Sequence, residues 1–224
     1  MRYVLIALVS VCAAAGGLWV LTSEQGTSEQ TMAFIESYGT YRALAEEERA
    51  LLARPGNEDA EVRARVHEHL TALLTGDLTS AERLTRAEEA AEDLALQEET
   101  VAAIGAVAPR VTAAREELAV QVADLPAPLR PEARELVALL KERRVLVGRI
   151  ADELAATHDQ TAAIVARIIA EEGRLSPAHV AEINAGTSVA EERFDEVRRA
   201  YQELDTLSEE IDDHERAFVG AALG

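Results

Sequence analysis

Apolar side chains recur at alternating spacings of four and three residues from Leu136 to Ile168. The same rhythm runs from Val101 to Leu125 and from Phe194 to Phe218, interrupted by a few polar residues. A period of 3.5 residues is typical of long helices that pack lengthwise at shallow angles, as in coiled coils and antiparallel bundles. This pattern therefore predicts a protein made of long helices that pack against one another along their length.

The composition supports the same class of fold. Hydrophobic residues make up 48% of the 224 residues, but aromatic residues only 4%, so small and aliphatic side chains must fill the core. Such side chains suit narrow seams between helices, and six prolines among many Ala, Leu, Glu and Arg residues argue against a sheet. We predict an all-α protein: an elongated antiparallel helical bundle, or coiled-coil hairpins of long helices, behind an N-terminal apolar helix.

Helix-breaking and helix-capping residues divide the chain into five predicted segments. The first covers residues 29–54 and ends at Pro55-Gly56-Asn57, and the second covers 58–75. The third covers 79–124, begins with a Thr79–Glu82 capping box and should be kinked at Pro109.

The last two segments are the longest uninterrupted ones. Pro131 opens a helix that runs to Glu172, where Gly173 ends it. Ser176 caps a final helix that extends almost to the C-terminus, with a break expected at residues 184–187. Short connections between these segments make neighbouring helices antiparallel.

The N-terminal stretch from Val4 to Thr22 carries no charge. A run of ~18 apolar residues is long enough to cross a bilayer as a helix, and an indole at its outer end suits the headgroup level. The large apolar side chains of this predicted membrane anchor are Val4, Leu5, Ile6, Leu8, Val9, Val11, Leu18, Trp19, Val20 and Leu21. The predicted organisation is therefore an anchor at 1–22, a polar linker at 23–30 and an exported helical bundle at 31–222.

Two other processing routes remain open for this stretch. Ala13-Ala14-Ala15 resembles a signal-peptidase site, which would release the bundle, and Cys12 would be the acceptor in a lipoprotein. Arg2 lies before the stretch and Glu24 after it, so the positive-inside rule places the remainder outside the cytoplasm. The expected location is a bacterial inner membrane with a periplasmic domain, or the periplasm after cleavage. A bacterial source is inferred from the single lysine, Lys141, among 22 basic residues.

Charge and motif content exclude several functions. A net charge of −19 is unsuited to the phosphate backbone of nucleic acids. The single cysteine excludes a Cys-based zinc finger, and His67 and His69 lie two residues apart on a helix, on nearly opposite faces. No glycine-rich phosphate loop and no nucleophile motif occurs. We predict no cofactor, no metal site and no enzymatic activity.

Four polar residues fall within the apolar stripes, at Arg115, Arg143, Thr157 and Thr161. One interpretation is that they set helix register, with their stems packed and their polar groups paired. The other is that they line a polar cavity inside the bundle.

Two helix starts, Leu78-Thr79-Ser80-Ala81-Glu82 and Leu175-Ser176-Pro177-Ala178-His179, resemble those of periplasmic stress chaperones and metal-sensor subunits. Those proteins are small helical hairpins, so the resemblance implies a chaperone-like or sensor function. Their glutamine is replaced by Glu82 or His179 here, and their histidine ligands have no counterpart. A capping signal has the same residue pattern, so the chain is not assigned to that family.

Three hypotheses for function follow. In the first, the membrane-anchored acidic bundle binds another protein, or itself, without catalysis. In the second, the bundle is a stress or metal sensor or a chaperone-like subunit, which an exposed apolar patch on a concave face would favour. In the third, it is a ligand-binding or enzymatic bundle, which an internal pocket lined by Arg115 and Arg143 would favour.

Overall fold

The computed structural model describes residues 28–75 and 78–223, which form four long helices and no strand. They are α1 (Glu29–Thr75), α2 (Ser80–Gln121), α3 (Arg130–Ala170) and α4 (Pro177–Leu223). Helices of 41 to 47 residues are about 60–70 Å long. The prediction of an all-α protein built from long, packed helices is confirmed. The predicted anchor at residues 4–22 lies outside the described residues.

None of the helices within 28–75 and 78–223 contains an apolar window long enough to cross a membrane.

The predicted break at Pro55-Gly56-Asn57 is wrong, because α1 continues through it as one helix. A proline inside a helix removes one hydrogen bond and costs ~3 kcal/mol, so the helix continues only where packing outweighs this cost. α1 is held against α2 on both sides of Pro55. Glu47 pairs with Arg110 before it, and Arg65 pairs with Asp93 after it. α2 continues through Pro109, in agreement with the predicted single segment at 79–124.

The predicted break at residues 184–187 is also wrong, because α4 is continuous there. Gly186 lies so close to α3 that a Cβ atom on it would be 3.0 Å from Ile164 Cδ1. The Gln160 side-chain amide donates a hydrogen bond to the Gly186 carbonyl over 2.9 Å. The absence of a side chain at Gly186 lets α3 and α4 pack closely. This packing offsets the loss of helix stability that a glycine causes, which is roughly 1 kcal/mol.

The predicted caps at Thr79 and Ser176 and the predicted helix-ending Gly173 are confirmed. Glu82 N donates to Thr79 Oγ1 over 3.3 Å and Thr79 N donates to Glu82 Oε2 over 2.8 Å, which completes the capping box. Ser176 Oγ accepts from His179 N over 3.2 Å. Gly173 has a φ of +72°, and a Cβ there would lie 2.0 Å from the Ser80 carbonyl oxygen. Only glycine therefore lets the α3–α4 connection pack against the start of α2.

Replacing Thr79 with alanine is expected to lower the free energy of unfolding by about 1 kcal/mol, because the Glu82 backbone N–H loses the Thr79 hydroxyl as its acceptor. Urea denaturation followed by circular dichroism measures this change. Ser188→Ala is the control, since that exposed hydroxyl only bonds to the Asn184 carbonyl of its own helix. Equal losses in both variants would contradict the capping role.

Ion pairs show that consecutive helices run antiparallel. Glu47 and Arg65 of α1 pair with Arg110 and Asp93 of α2, respectively. Residue numbers thus rise along α1 while those of the partners on α2 fall. Between α3 and α4 the same holds for Arg149 with Glu203 and Arg167 with Glu182.

The core follows the length of the bundle as three successive clusters of buried apolar side chains. The first, at the α1 N-terminal end, includes Phe34, Val111, Leu118, Leu136, Leu140 and Phe218. The second, in the middle, includes Leu52, Ile104, Val147, Ile150, Val197 and Leu204. The third, at the far end, includes Leu73, Ala87, Leu94, Val165, Ile168 and Ile183. The bundle is thus a rod with a narrow, continuous apolar interior.

Candidate functional site

One seam of the bundle is open. In a closed four-helix bundle each helix packs against two neighbours. Here α1 packs along α2, α2 along α3 and α3 along α4, whereas α1 and α4 meet at only a few residues. The two helical hairpins, α1–α2 and α3–α4, therefore face each other across a gap. This gap forms a groove of about 1250 Å³, which we call the α1/α4 groove.

The floor of the α1/α4 groove is mainly apolar and comes from all four helices. Its aliphatic side chains include Leu52, Val66, Leu70, Val101, Ile104, Leu140, Leu154, Ile164, Val197 and Leu204. Most of these side chains are buried members of the core, and Val101, Leu154 and Ile164 are half-buried. The groove is therefore a continuation of the core that reaches the surface.

The apolar stripe of α4 consists of two rows of side chains, and the sequence pattern alone does not show that one of them borders an open seam. One row consists of buried residues at successive steps of seven: Val197, Leu204, Ile211 and Phe218. The other row of the predicted stripe is only half-buried and borders the groove: Phe194, Tyr201, Ser208 and Glu215. The first row packs in the core, and the second row faces α1, which Tyr201 and Glu215 contact.

Side chains bridge the seam at two heights. At one end the Phe34 and Phe218 rings lie 5.1 Å apart. One turn further, Glu215 accepts from Tyr38 Oη over 3.0 Å and from Arg42 Nη1 over 2.8 Å. These contacts close that end of the groove. Midway along it, Tyr201 Oη donates to the Leu52 carbonyl over 2.9 Å, within the turn that precedes Pro55.

Tyr38 is expected to make stability fall at alkaline pH. Burial, and then the Glu215 carboxylate, raise the pKa of its hydroxyl above the ordinary value of 10.0. Because the folded-state pKa is raised, this contribution is complete below pH ~10 and is lost as pH rises above it, by up to ~1.4 kcal/mol per pH unit. Urea denaturation at pH 9 to 11.5 should show a smaller alkaline loss for Tyr38→Phe than for the unmodified chain. Parallel curves for the two proteins would contradict this.

Arg143 is buried, and it borders the groove at the predicted position. Its Nη1 donates to Glu48 Oε2 over 2.8 Å and its Nη2 donates to the Ala45 carbonyl over 3.2 Å. Arg144 Nη1 donates to the other oxygen, Glu48 Oε1, over 2.8 Å. The fully buried Glu48 carboxylate thus links α1 to two arginines of α3.

Glu48 was not singled out from the sequence, where it is the third of three consecutive glutamates. A signal was present, because Phe34, Tyr41 and Glu48 follow one another at steps of seven and all three are buried. A charged residue in register with two aromatic core residues indicates a buried ion pair.

The other predicted polar seam residues divide into two groups. Thr157 and Thr161 are buried and border the groove, and their hydroxyls donate to the carbonyls of Glu153 and Thr157 in the preceding turn. Arg115 does not line the groove, and its Nη2 lies 3.4 Å from Glu116 Oε1. An internal pocket lined by both Arg115 and Arg143 is therefore not formed by the described residues.

Three further polar atoms that border the groove are buried without a hydrogen-bond partner among the described residues. They are Tyr41 Oη on α1, Gln97 Nε2 on α2 and His158 Nδ1 on α3. Unpaired buried polar groups are uncommon in folded proteins, because each costs about 1–3 kcal/mol. Their position makes them available to a molecule that enters the groove.

The two edges of the groove carry different charges. The α1 edge has Arg42, Glu46 and Arg49. The α4 edge has Asp195, Arg198, Asp205, Asp212 and Glu215. The α1 edge is thus net positive and the α4 edge net negative.

Within the described residues, no group of three or more His, Cys, Asp or Glu side chains is placed to hold a metal ion. Comparison of the chain with protein families, with curated proteins and with solved structures gives no match.

Proposed function

We propose that this chain is a non-catalytic, membrane-anchored envelope protein whose acidic helical bundle binds another protein or a second copy of itself, and that the α1/α4 groove is the docking surface. The open seam between α1 and α4 is the observation that carries this proposal. A bundle that functions only as a spacer gains stability by closing all its seams, whereas this one leaves a groove over its core, bordered by the half-buried Phe194 and Tyr201.

The dimensions of the groove favour a helix over a small molecule as the bound group. Its volume of about 1250 Å³ exceeds the ~300–1000 Å³ usual for small-molecule pockets. It is lined from Tyr38 to Leu70 along α1, which corresponds to about 48 Å of helix. An elongated apolar groove of this kind is a common acceptor for the apolar face of an amphipathic helix.

The anchor belongs to the proposal as well. Residues 4–22 would hold the bundle at the outer face of a bacterial inner membrane, with signal cleavage and release into the periplasm as the alternative. Support comes from the uncharged sequence of this stretch and from the position of Arg2 before it.

Crosslinking in intact cells tests the docking surface. The full chain with a C-terminal tag is compared with Ser208→Trp, which places an indole in the groove, and with Gln202→Trp, which places one on the exposed side of the same helix. We expect the unmodified chain and Gln202→Trp to capture one stoichiometric species that Ser208→Trp loses. Capture of the same species by all three proteins would contradict docking in the groove.

A chaperone-like function is the second candidate, because the groove is apolar and concave. The same experiment separates the two. A single species supports a dedicated partner, whereas a heterogeneous set of unfolded proteins that Ser208→Trp loses would establish the chaperone-like function instead.

A further inference from the structure

We infer that the partner that covers the α1/α4 groove is a second copy of this chain, bound face to face about a two-fold axis that runs parallel to the helices. This inference rests on the proposed function, and it specifies the occupant of the same surface.

The register of the two edges follows from the bridging contacts. Phe34 lies beside Phe218, and Leu52 lies beside Tyr201, so α1 and α4 are antiparallel with a fixed offset. Counting from these pairs places Arg49 opposite residues 203–204, within two residues of Asp205. The same count places Arg42 opposite residues 210–211, within two residues of Asp212. Each edge therefore presents a cation where the opposite edge presents an anion.

These opposite charges do not meet within one chain at the centre of the groove. Arg49, Asp205 and Asp212 form no ion pair with any described residue, although all three border the groove. The gap between the helices keeps Arg49 and Asp205 apart. The middle of the groove therefore offers two unpaired edges of opposite sign.

A two-fold axis parallel to the helices brings α1 of each copy onto α4 of the other. This rotation leaves every residue at its own height, so Arg49 of one copy faces Asp205 of the second. The symmetry repeats this pair, so the dimer contains two of them. The half-buried Tyr201 and Phe194 of both copies would be covered by the same contact.

The other two-fold axis that places the grooves face to face is perpendicular to the helices, and charge disfavours it. That rotation sets α4 against α4, so that the edge carrying Asp195, Asp205, Asp212 and Glu215 would face itself. Like charges placed opposite one another are costly in an interface.

The position of the N-termini also favours the two-fold axis parallel to the helices. With the axis parallel to the helices, both copies begin α1 at the same end of the dimer. Two apolar stretches at residues 4–22 would then enter one membrane side by side. The perpendicular axis would place them at opposite ends of a rod about 60–70 Å long.

Charge exchange between two chains tests the inference. Full-length protein in detergent is measured by light scattering and by native mass spectrometry, as the unmodified chain, as Arg49→Asp, as Asp205→Arg and as a mixture of the two variants. We expect the unmodified chain to be dimeric and each variant alone to dissociate at least tenfold more readily, because two like-charged pairs replace two ion pairs.

The mixture is the decisive sample. In a heterodimer of Arg49→Asp with Asp205→Arg, both pairs regain opposite charges, so we expect recovery of the dimer as a one-to-one heterodimer. Glu210→Arg, an exposed change outside the groove, should leave the dimer intact. Association through residues 4–22 alone would leave both variants dimeric, and this result would overturn the inference.

Two further outcomes would also overturn it. A monomeric unmodified chain would exclude the second copy as the occupant. Variants that stay monomeric when mixed would show that Arg49 and Asp205 act within one chain. In either case the capture experiment with Ser208→Trp still decides whether the groove binds another protein, so failure of this inference and failure of the proposed function are separable.

Discussion

Replacing Glu48 with alanine is expected to lower the free energy of unfolding by about 3–5 kcal/mol. The Glu48 carboxylate is fully buried, and it accepts hydrogen bonds from Arg143 and Arg144 over 2.8 Å each. Removing it leaves the buried guanidinium of Arg143 without its counter-charge, and an uncompensated buried charge costs more than the lost pair itself. Urea denaturation monitored by circular dichroism measures the change.

The neighbouring residue provides a matched control. Glu47 pairs with Arg110 of α2 rather than with α3, and the Glu47 and Arg110 side chains are 47% and 56% exposed. Glu47→Ala should therefore cost less than 1 kcal/mol. The double variant Glu48→Leu with Arg143→Met should recover much of the loss, because an apolar pair of similar volume can replace a buried ion pair. Equal effects of Glu47→Ala and Glu48→Ala would contradict the buried role of Glu48.

Phe34→Ala is expected to cost about 3–5 kcal/mol as well. Phe34 is fully buried at the end of the bundle where α1 and α4 meet, and its ring lies 5.1 Å from that of Phe218. The truncation removes apolar burial and one of the few contacts that join the first helix to the last. Thermal and urea unfolding should both report the loss.

Val120→Ala is the control for Phe34→Ala, since Val120 is 72% exposed and its truncation should change stability by less than ~0.5 kcal/mol. If Phe34→Ala proved as mild as Val120→Ala, the contact between α1 and α4 at this end of the bundle would contribute little to stability.

Much of the fold is readable from the sequence because the apolar period is long and regular. On α3, the predicted positions Leu136, Leu140, Val147, Ile150 and Ile168 are all buried. The Thr79–Glu82 capping box forms as predicted. Both features depend on local spacing, which the amino-acid order specifies directly.

The errors arose where packing between distant residues decides the outcome. Pro55 has the local signature of a helix end, yet the contacts of α1 with α2 on both sides of it keep the helix continuous. The open seam was not predicted, because a stripe such as Phe194, Tyr201 and Ser208 has the same pattern whether its partner helix is adjacent or displaced. Glu48 was missed for a related reason, since its role depends on arginines almost a hundred residues away.

The order of helix packing has a consequence for how the chain folds. Nearly all contacts join a helix to the next one along the chain, and the first and last helices meet at few residues. Proteins dominated by contacts between neighbouring segments fold quickly, because little loop-closure entropy precedes each favourable contact. Each hairpin can form as soon as its second helix has been synthesised, and the fourth helix completes the molecule without having to be threaded against the first.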